Sequence, residues 1–331
     1  MTFDWKVRDQ LKGLLFIIGL ASWWNSSTQN VLNYELPALG NIELAEGISI
    51  PKINSGYTVW IPQSKEIQGL VVFMHPRRDT VNSEFIIDYA NENQLAIMYV
   101  TTDNRLEFLF EKTKAQELEN YIASVVNEYE IPMSNLMYCG MSLAGTRALK
   151  MAIFGQSDRS KHHLKPLAIA ICDSPLDMVR FYNAMIRAKE LQHTPITANE
   201  GKWVSSTLEK NLNGTPREAI KAYIDYSPYC YNAKGGFHLD VFQGIAIRAY
   251  TEPDVNWWIE TRRKDYYSMN AIDLAAFINE LKINNHNKAE LITTSDKGFL
   301  PDGKRHPHSW SIVDEKELID WFLQLLEERS R

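Results

Sequence analysis

Cysteine is scarce in this chain of 331 residues, and the three present, Cys139, Cys172 and Cys230, are far apart. No Cys-x-x-Cys pair occurs, so the sequence has neither a zinc-knuckle spacing nor the dense pattern of a disulfide scaffold. Cys139 and Cys172 lie in apolar runs typical of strands, where a thiol packs as a small hydrophobic side chain. The cysteines therefore indicate core packing and not metal binding.

Positive charge is also sparse. The 35 Lys and Arg residues are outnumbered by 41 Asp and Glu residues, which gives a formal net charge of −6. The short basic runs 77–78 and 262–264 are isolated, whereas a nucleic-acid-binding surface needs a basic stripe. The composition therefore predicts no nucleic-acid partner, and it leaves the oligomeric state open.

Long apolar runs are missing except at 14–20, which is too short to span a bilayer comfortably. Basic residues precede this run and small ones end it: Lys6, Arg8, Lys12, Gly19, Ala21 and Ser22. This arrangement predicts a signal peptide over about residues 1–22 and a secreted or periplasmic protein. Asp4 and Asp9 weaken the positive region, so a buried N-terminal helix in a cytoplasmic protein is the alternative. No stable membrane span is predicted.

Strand-like apolar runs alternate with amphipathic segments over most of the chain. Strands are predicted at 70–74, 95–100, 136–139, 167–171, 245–250 and 289–293, and helices at 83–93, 112–128, 143–154, 271–281 and 314–328. This alternation is typical of an α/β fold with a mostly parallel, doubly wound sheet. The pattern stops between 175 and 240. The sequence therefore predicts a core of residues 41–174 and 241–331, a helical cap insertion at 175–240 and an N-terminal extension at 1–40.

One serine lies in the context that a nucleophile elbow requires. The segment Gly140-Met141-Ser142-Leu143-Ala144-Gly145 stands between a predicted strand and a predicted helix. Such a turn presents the serine hydroxyl above the sheet and crowds the positions two before and two after it, so both must be small. Gly140 and Ala144 meet that need. Ser142 is the predicted nucleophile, and an ordinary helix N-cap is its alternative role.

A serine is a weak nucleophile at its ordinary pKa, so it needs a base that an acid orients. Carboxylates follow the predicted strand 245–250, at the end where parallel strands place their sites. Asp254 is the predicted acid, and Glu252 is the nearest rival because it is closer to the strand end. Asp173, after strand 167–171, is a more distant rival. Turn formation and helix capping are the alternative roles of these carboxylates.

The predicted base comes from the segment His306-Pro307-His308-Ser309-Trp310, after the last predicted strand. His308 is favoured because it stands directly ahead of the final helix, where this architecture places its histidine. His306 precedes a proline and is expected to shape the loop or the pocket.

The loop after strand 70–74 opens with His75-Pro76-Arg77-Arg78. In a serine hydrolase this loop supplies one backbone N–H of the oxyanion hole, and the residue after the nucleophile, here Leu143, supplies the other. Pro76 has no N–H, so Arg77 is the predicted donor and Arg78 a weaker candidate. The arginine side chains alternatively bind an anionic substrate group or face solvent.

His75-Pro76, the elbow at Ser142, Asp254 and His308 together resemble the α/β-hydrolase superfamily, in its serine esterase and peptidase-like branch. The resemblance covers roughly residues 45–328. Pro76 stands where the family usually has glycine, and Ala144 replaces the last glycine of the elbow. The resemblance implies that Ser142, His308 and Asp254 cleave an ester-type acyl bond of a small-molecule or acylated substrate. The reaction would pass through an acyl-enzyme intermediate, with no metal or organic cofactor.

Substrate choice is less defined by the residues. Trp257, Trp258 and Trp310 are predicted either to line the pocket, with His75, Arg78, Glu252 and His306, or to lie in the core. A peptidase or thioesterase with the same residues is one alternative, and a non-catalytic binding protein of this fold is another. A metal-dependent hydrolase built on His306 and His308 lacks the His-Glu-x-x-His pattern and a second ligand cluster.

Overall fold

A computed structural model of the chain describes residues 30–64, 66–77, 83–233 and 238–331. The predicted signal peptide at about 1–22 and the candidate Arg78 lie outside the described residues. Among the helices of these ranges, none combines the length and the apolar character that crossing a membrane requires.

An eight-stranded sheet forms the centre of the described chain, in the order β1-β4-β6-β5-β7-β8-β9-β10. Six neighbouring strands run parallel: β6, β5, β7, β8, β9 and β10. At one side of the sheet, β4 pairs antiparallel with β6, and β1 pairs antiparallel with β4. Strands β2 and β3 form a separate hairpin. The strands are β1 (Asn30–Leu36), β2 (Asn41–Ala45), β3 (Ile48–Pro51), β4 (Ser55–Ile61), β5 (Gly69–Phe73), β6 (Leu95–Thr101), β7 (Leu136–Met141), β8 (Ala168–Cys172), β9 (Ala246–Thr251) and β10 (Ala289–Thr293). The predicted mostly parallel sheet is confirmed.

Helices cover both faces of this sheet because its central strands are apolar on both sides. Side chains of α1 and α9 pack on one face, and those of α2, α3 and α8 pack on the other. The helices are α1 (Ser83–Glu92), α2 (Lys112–Glu128), α3 (Leu143–Gly155), α4 (Met178–Leu191), α5 (Pro195–Leu212), α6 (Ile220–Tyr226), α7 (Val255–Arg262), α8 (Ala271–Ile283) and α9 (Glu315–Ser330). The loops that follow the parallel strands therefore meet at one exposed edge of the sheet.

Helices α4, α5 and α6 lie between β8 and β9, where the sequence predicts the cap insertion. The Asp177 carboxylate accepts from the backbone N–H groups of Val179 and Arg180 and so starts α4. Thr194 and Thr197 form a capping box that starts α5. The three helices share an apolar cluster that includes Tyr182, Leu208 and Tyr223. The role of this segment as a cap stays a prediction.

Two further sequence-based predictions concern the N-terminal extension and the cysteines. Residues 30–36, inside the predicted N-terminal extension, form edge strand β1, which pairs with β4. All three cysteines are buried and free. Burial raises the pKa of the Cys139 and Cys172 thiols above the ordinary value, which keeps both protonated.

Candidate active site

Ser142 occupies a strained turn between strand β7 and helix α3. Its backbone has φ 55° and ψ −128°, in a region that a residue with a side chain rarely adopts. The Ser142 N–H donates to the carbonyl of Cys172 on neighbouring strand β8 at 2.8 Å, which holds the turn against the sheet. Such strain persists only where the surrounding structure fixes it, and it concentrates at functional sites.

The turn leaves no room for larger neighbours. A Cβ added at Gly140 would collide with the backbone carbonyl of Ala144, and one added at Gly145 would collide with Ser174 Oγ. The crowding that the sequence predicts around Ser142 is therefore present in the structure.

His308 lies in the loop between β10 and α9, and its ring pairs with a carboxylate. Nδ1 of His308 donates to Oδ2 of Asp173 at 2.6 Å. Asp173 is buried and directly follows β8, whereas His308 remains partly exposed. A hydrogen bond from Nδ1 to a carboxylate fixes the tautomer of a histidine, so that Nε2 is left as the acceptor.

The carboxylate in this pair is not that of Asp254, which the sequence favours as the acid. The carboxylate of Asp254 accepts from the Trp257 N–H at 3.0 Å and from Arg305 Nη2 at 2.9 Å. Asp254 therefore caps α7 and binds an arginine, and the carboxylate that reaches His308 belongs to Asp173. The sequence ranks Asp173 below Asp254, although each is an aspartate shortly after a parallel strand.

Glu252, the nearest rival, is also engaged away from His308. Its carboxylate accepts from Thr294 Oγ1 at 2.8 Å and from the N–H groups of Lys297 and Gly298 at 3.0 Å, and it pairs with Arg305 Nη1 at 2.5 Å. Burial alone would raise the pKa of Glu252, but these hydrogen bonds outweigh burial and lower it. Glu252 thus stays ionised and ties down the loop that carries His308.

Asp173 is itself held by residues that the sequence analysis missed. Asn270 Nδ2 donates to the backbone carbonyl of Asp173 at 2.9 Å, and Asn270 Oδ1 accepts from Arg180 Nη2 at 3.2 Å. Arg180 in turn pairs with the buried Asp273 at 2.5 Å. Asp173 has a φ of 42°, so this chain of contacts supports a strained residue. No sequence motif marks Asn270 or Arg180, because their contacts with Asp173 span separate elements.

The predicted oxyanion donors, the backbone N–H groups of Leu143 and Arg77, follow the neighbouring strands β7 and β5. Leu143 is the first residue of α3, so its N–H has no carbonyl of its own helix to bond. Arg77 follows β5 and is exposed, and its guanidinium lies 4.7 Å from the centre of the Trp60 ring. The Arg77 side chain therefore packs on an aromatic face.

The aromatic candidates fall into two groups. The rings of Trp257 and Trp258 meet edge to face, Trp257 contacts His306, and Trp258 lies 6.2 Å from the His308 ring. His306 Nδ1 donates to the His308 carbonyl at 2.8 Å, and burial lowers the pKa of His306, which favours its neutral form. Trp257, Trp258 and His306 are therefore brought next to His308.

The second aromatic group surrounds Phe73 at the end of β5. His75 and Trp310 both contact the Phe73 ring, and His75 also contacts Tyr99. Trp310 Nε1 donates to Glu315 at 2.9 Å. Burial raises the pKa of Glu315 to about 7. Trp310 and His75 thus pack around Phe73, where the predicted oxyanion loop begins.

No protein-family model matches the chain, and no curated protein matches it either. Solved structures do resemble it. A hyperthermophilic esterase from the archaeon Pyrobaculum calidifontis is 14% identical, with a TM-score of 0.51 over 91% of this chain and 84% of that one. Carboxyl esterase 2 from the mycorrhizal fungus Tuber melanosporum is 11% identical, with a TM-score of 0.53 over 92% and 87%.

A puromycin-hydrolyzing peptidase from Mycobacterium tuberculosis is 16% identical, with a TM-score of 0.52. The match covers 82% of this chain but 38% of the peptidase, so this chain spans well under half of that protein. At such identities the likeness defines the fold. The chain has the α/β-hydrolase fold, as its sequence motifs predict.

Proposed function

We propose that the protein is a serine hydrolase that cleaves an ester-type acyl bond with Ser142, His308 and Asp173. The observation that carries this proposal is the strained Ser142 turn at the same sheet edge as the 2.6 Å contact between His308 and Asp173. A serine on such a turn, with a histidine whose tautomer is fixed by a carboxylate, is the arrangement that acyl transfer needs.

In the proposed mechanism Ser142 Oγ attacks the substrate carbonyl carbon. His308 Nε2 takes the serine proton and later delivers it to the leaving group, while Asp173 stabilises the charged imidazole. Among the described residues His308 bonds to Asp173 and forms no hydrogen bond to Ser142. The serine–histidine contact commonly tightens only when substrate binds. Water then releases the acyl group by the same route.

The negative charge that develops on the carbonyl oxygen needs donors. The Leu143 N–H, unpaired within its own helix, is the proposed first donor, and the Arg77 N–H is the second. A donor of this kind contributes about 3–4 kcal/mol to transition-state stabilisation in comparable sites. Trp257, Trp258 and His306 are proposed to wall the pocket beside His308.

Ester hydrolysis is the proposed chemistry, and the two esterases described above share the fold. The puromycin-hydrolyzing peptidase shares the fold, so amide substrates belong in the same test. A panel of p-nitrophenyl esters with acyl chains of increasing length, run beside p-nitroanilides, distinguishes the two bond types. Turnover of anilides with none of esters would make the protein a peptidase.

A fluorophosphonate probe tests the nucleophile directly because it labels an activated serine covalently. We expect the wild-type protein and Ser124→Ala, which changes an exposed serine on α2, to be labelled. Ser142→Ala should abolish both labelling and ester turnover. Labelling that survives Ser142→Ala would exclude Ser142 as the nucleophile, and an unlabelled wild-type protein would favour the non-catalytic alternative.

A further inference from the structure

A cleft of about 400 Å³ lies between α4 and α7 and is rich in positive charge. Its charged walls are Arg187 from α4, Arg263 and Lys264 at the end of α7, and Asp265; His193 also lines it. Three basic side chains thus line the cleft with one carboxylate. In a chain of net charge −6 this local excess of positive charge is not a consequence of composition.

The single carboxylate of the cleft is already engaged. Asp265 Oδ1 accepts from the Ser268 N–H at 3.0 Å and from the Ser268 hydroxyl at 2.8 Å. Its other oxygen lies 3.7 Å from Arg187 Nη2, between two half-exposed side chains, a separation too long for a hydrogen bond. No ion pair of Arg263 occurs within the described ranges. Among the described residues the ion pairs of these basic side chains are therefore the long ones from Arg187 to Asp265 and from Lys264 to Glu200.

Lys264 is the least exposed of these basic side chains. Its side chain is 13% exposed, and its ammonium lies 3.9 Å from the nearest carboxylate oxygen, of Glu200, which is beyond hydrogen-bond distance. The ammonium also lies 5.4 Å from the centre of the Trp258 ring. Burial lowers the pKa of Lys264, as expected where solvation is lost without a close counter-ion. A largely buried ammonium with no carboxylate at hydrogen-bond distance favours an anionic partner.

This lysine is adjacent to the proposed catalytic residues. The Lys264 N–H donates to the Trp258 carbonyl at 3.2 Å, and the Trp258 ring lies 6.2 Å from the His308 ring. One tryptophan ring therefore separates the cationic cleft from the histidine. A substrate bound at Ser142 would therefore have the charged cleft close to His308, the proposed base.

We propose that this cleft binds an anionic oxygen group of the substrate, a carboxylate or a phosphate, distal to the acyl bond that is cleaved. The inference rests on the proposed function and narrows the substrates to acidic esters. Arginine and lysine together suit such a group, because the guanidinium fork aligns two oxygens and the ammonium supplies a point charge.

Matched esters test the cleft. Mono-p-nitrophenyl glutarate and p-nitrophenyl valerate have acyl chains of the same length and differ in the terminal carboxylate. We expect the wild-type protein to have the higher kcat/KM for the glutarate ester. Lys264→Met should lower the ratio of glutarate to valerate kcat/KM by about tenfold or more, roughly one lost charged contact. Arg263→Gln changes an exposed side chain that packing does not require, and should lower the ratio by about threefold.

Lys189→Met is the matched control, because it removes a positive charge from the exposed side of α4 without touching the cleft. This variant should keep the wild-type ratio. An equal fall in Lys189→Met would mean that net charge, and not the cleft, sets the preference. Equal ratios in wild type, Lys264→Met and Arg263→Gln would overturn the proposal.

A binding measurement separates this inference from the proposed function. Glutarate and inorganic phosphate are added to Ser142→Ala protein, and saturating anion should raise its Tm by about 2 °C or more. The same shift should be absent from the Ser142→Ala, Lys264→Met double variant.

Anion binding by Ser142→Ala, with no turnover of any ester by the wild-type protein, would support an anion site in the cleft and refute the proposed hydrolase activity. Turnover of both esters, with no Tm shift by either anion and an unchanged ratio, would refute the cleft. A shift by phosphate alone would identify a phosphate group as the ligand.

Discussion

Strands β8 and β9 are neighbours in the sheet, and each is followed by carboxylates at the same edge. After β8, Asp173 accepts from the ring of His308 at 2.6 Å. After β9, Glu252 and Asp254 both pair with Arg305. The two strand ends thus present the same chemical group to different partners, one a titratable ring and the other a permanent cation.

The difference between these partners separates the proposed catalytic carboxylate from structural ones. The donors to Glu252 come from Thr294, Lys297, Gly298 and Arg305, all within the loop that leads to His308. A carboxylate whose lone pairs are used in this way fixes backbone and has little freedom to take part in proton transfer. Asp173 binds the ring of the proposed base, so position after a strand does not by itself identify the proposed acid.

Replacement of the acid after β8 is the strongest way to test this contrast. Asp173→Asn removes the acceptor that fixes the His308 tautomer, so kcat should fall by about 10⁴-fold, as when the equivalent carboxylate of other serine hydrolases is lost. Asp254→Asn should change kcat by less than about threefold. Ester hydrolysis by the purified variants, with wild-type far-UV circular dichroism as the folding control, measures both. A collapse in Asp254→Asn with normal turnover in Asp173→Asn would restore Asp254 as the acid.

Replacement of the carboxylate after β9 should instead act on stability. Glu252 is 2% exposed in its side chain, and Glu252→Gln leaves Arg305 with a weakened set of partners. Loss of one member of a buried ion pair costs about 3–5 kcal/mol, and we expect the lower end because Arg305 keeps Asp254. Urea unfolding measures the free energy.

Glu290→Gln is the matched control for that measurement. Glu290 pairs with Arg248 at 2.9 Å and its side chain is 54% exposed. An exposed pair contributes about 0–1 kcal/mol, so this variant should lie close to wild type. Equal losses in Glu252→Gln and Glu290→Gln would mean that the loop after β9 is not held by the buried pair.

The contrast also explains how far the sequence could predict the molecule. Local rules of periodicity and turn geometry make three features predictable from the sequence. These are the alternation of strands and helices, the elbow at Ser142 and the histidine ahead of α9. The choice between Asp173 and Asp254 depends on which carboxylate a distant loop approaches. Arg305 decides that choice, because it occupies Asp254 and Glu252, and nothing local marks it as their partner.

The same limit applies to Asn270 and Lys264. Asn270 supports Asp173 across 97 positions of sequence, and Lys264 joins the Trp258 ring to a cleft made by two separate helices. The basic run 262–264 is visible in the sequence as three isolated charges. Only the structure shows that two of them, with Arg187, line one cleft.

Lowering the pH should reduce the stability that the Glu252 carboxylate contributes to the fold. Hydrogen bonds and Arg305 lower the pKa of Glu252 despite its burial, so the folded state favours the ionised form. A lowered folded-state pKa contributes stability that is fully present above the ordinary carboxyl pKa and is lost as pH falls through the folded value. The gap in unfolding free energy between wild type and Glu252→Gln should therefore be constant from pH 8 to 6 and narrow below about pH 4.5. A gap that widens in acid would contradict the lowered pKa.

The smallest expected effect concerns Asp254, which has two separable contacts. Its carboxylate caps α7 through the Trp257 N–H, and its other oxygen meets Arg305. Asp254→Ala removes both and should cost about 1 kcal/mol, most of it from the cap. Asp254→Asn keeps a capping oxygen and loses a partly exposed charge, so it should cost about 0.5 kcal/mol or less. Urea unfolding of the two variants gives the difference. If Asp254→Asn costs as much as Asp254→Ala, the contact with Arg305 dominates, and the end of β9 is held by charge more than by its helix cap.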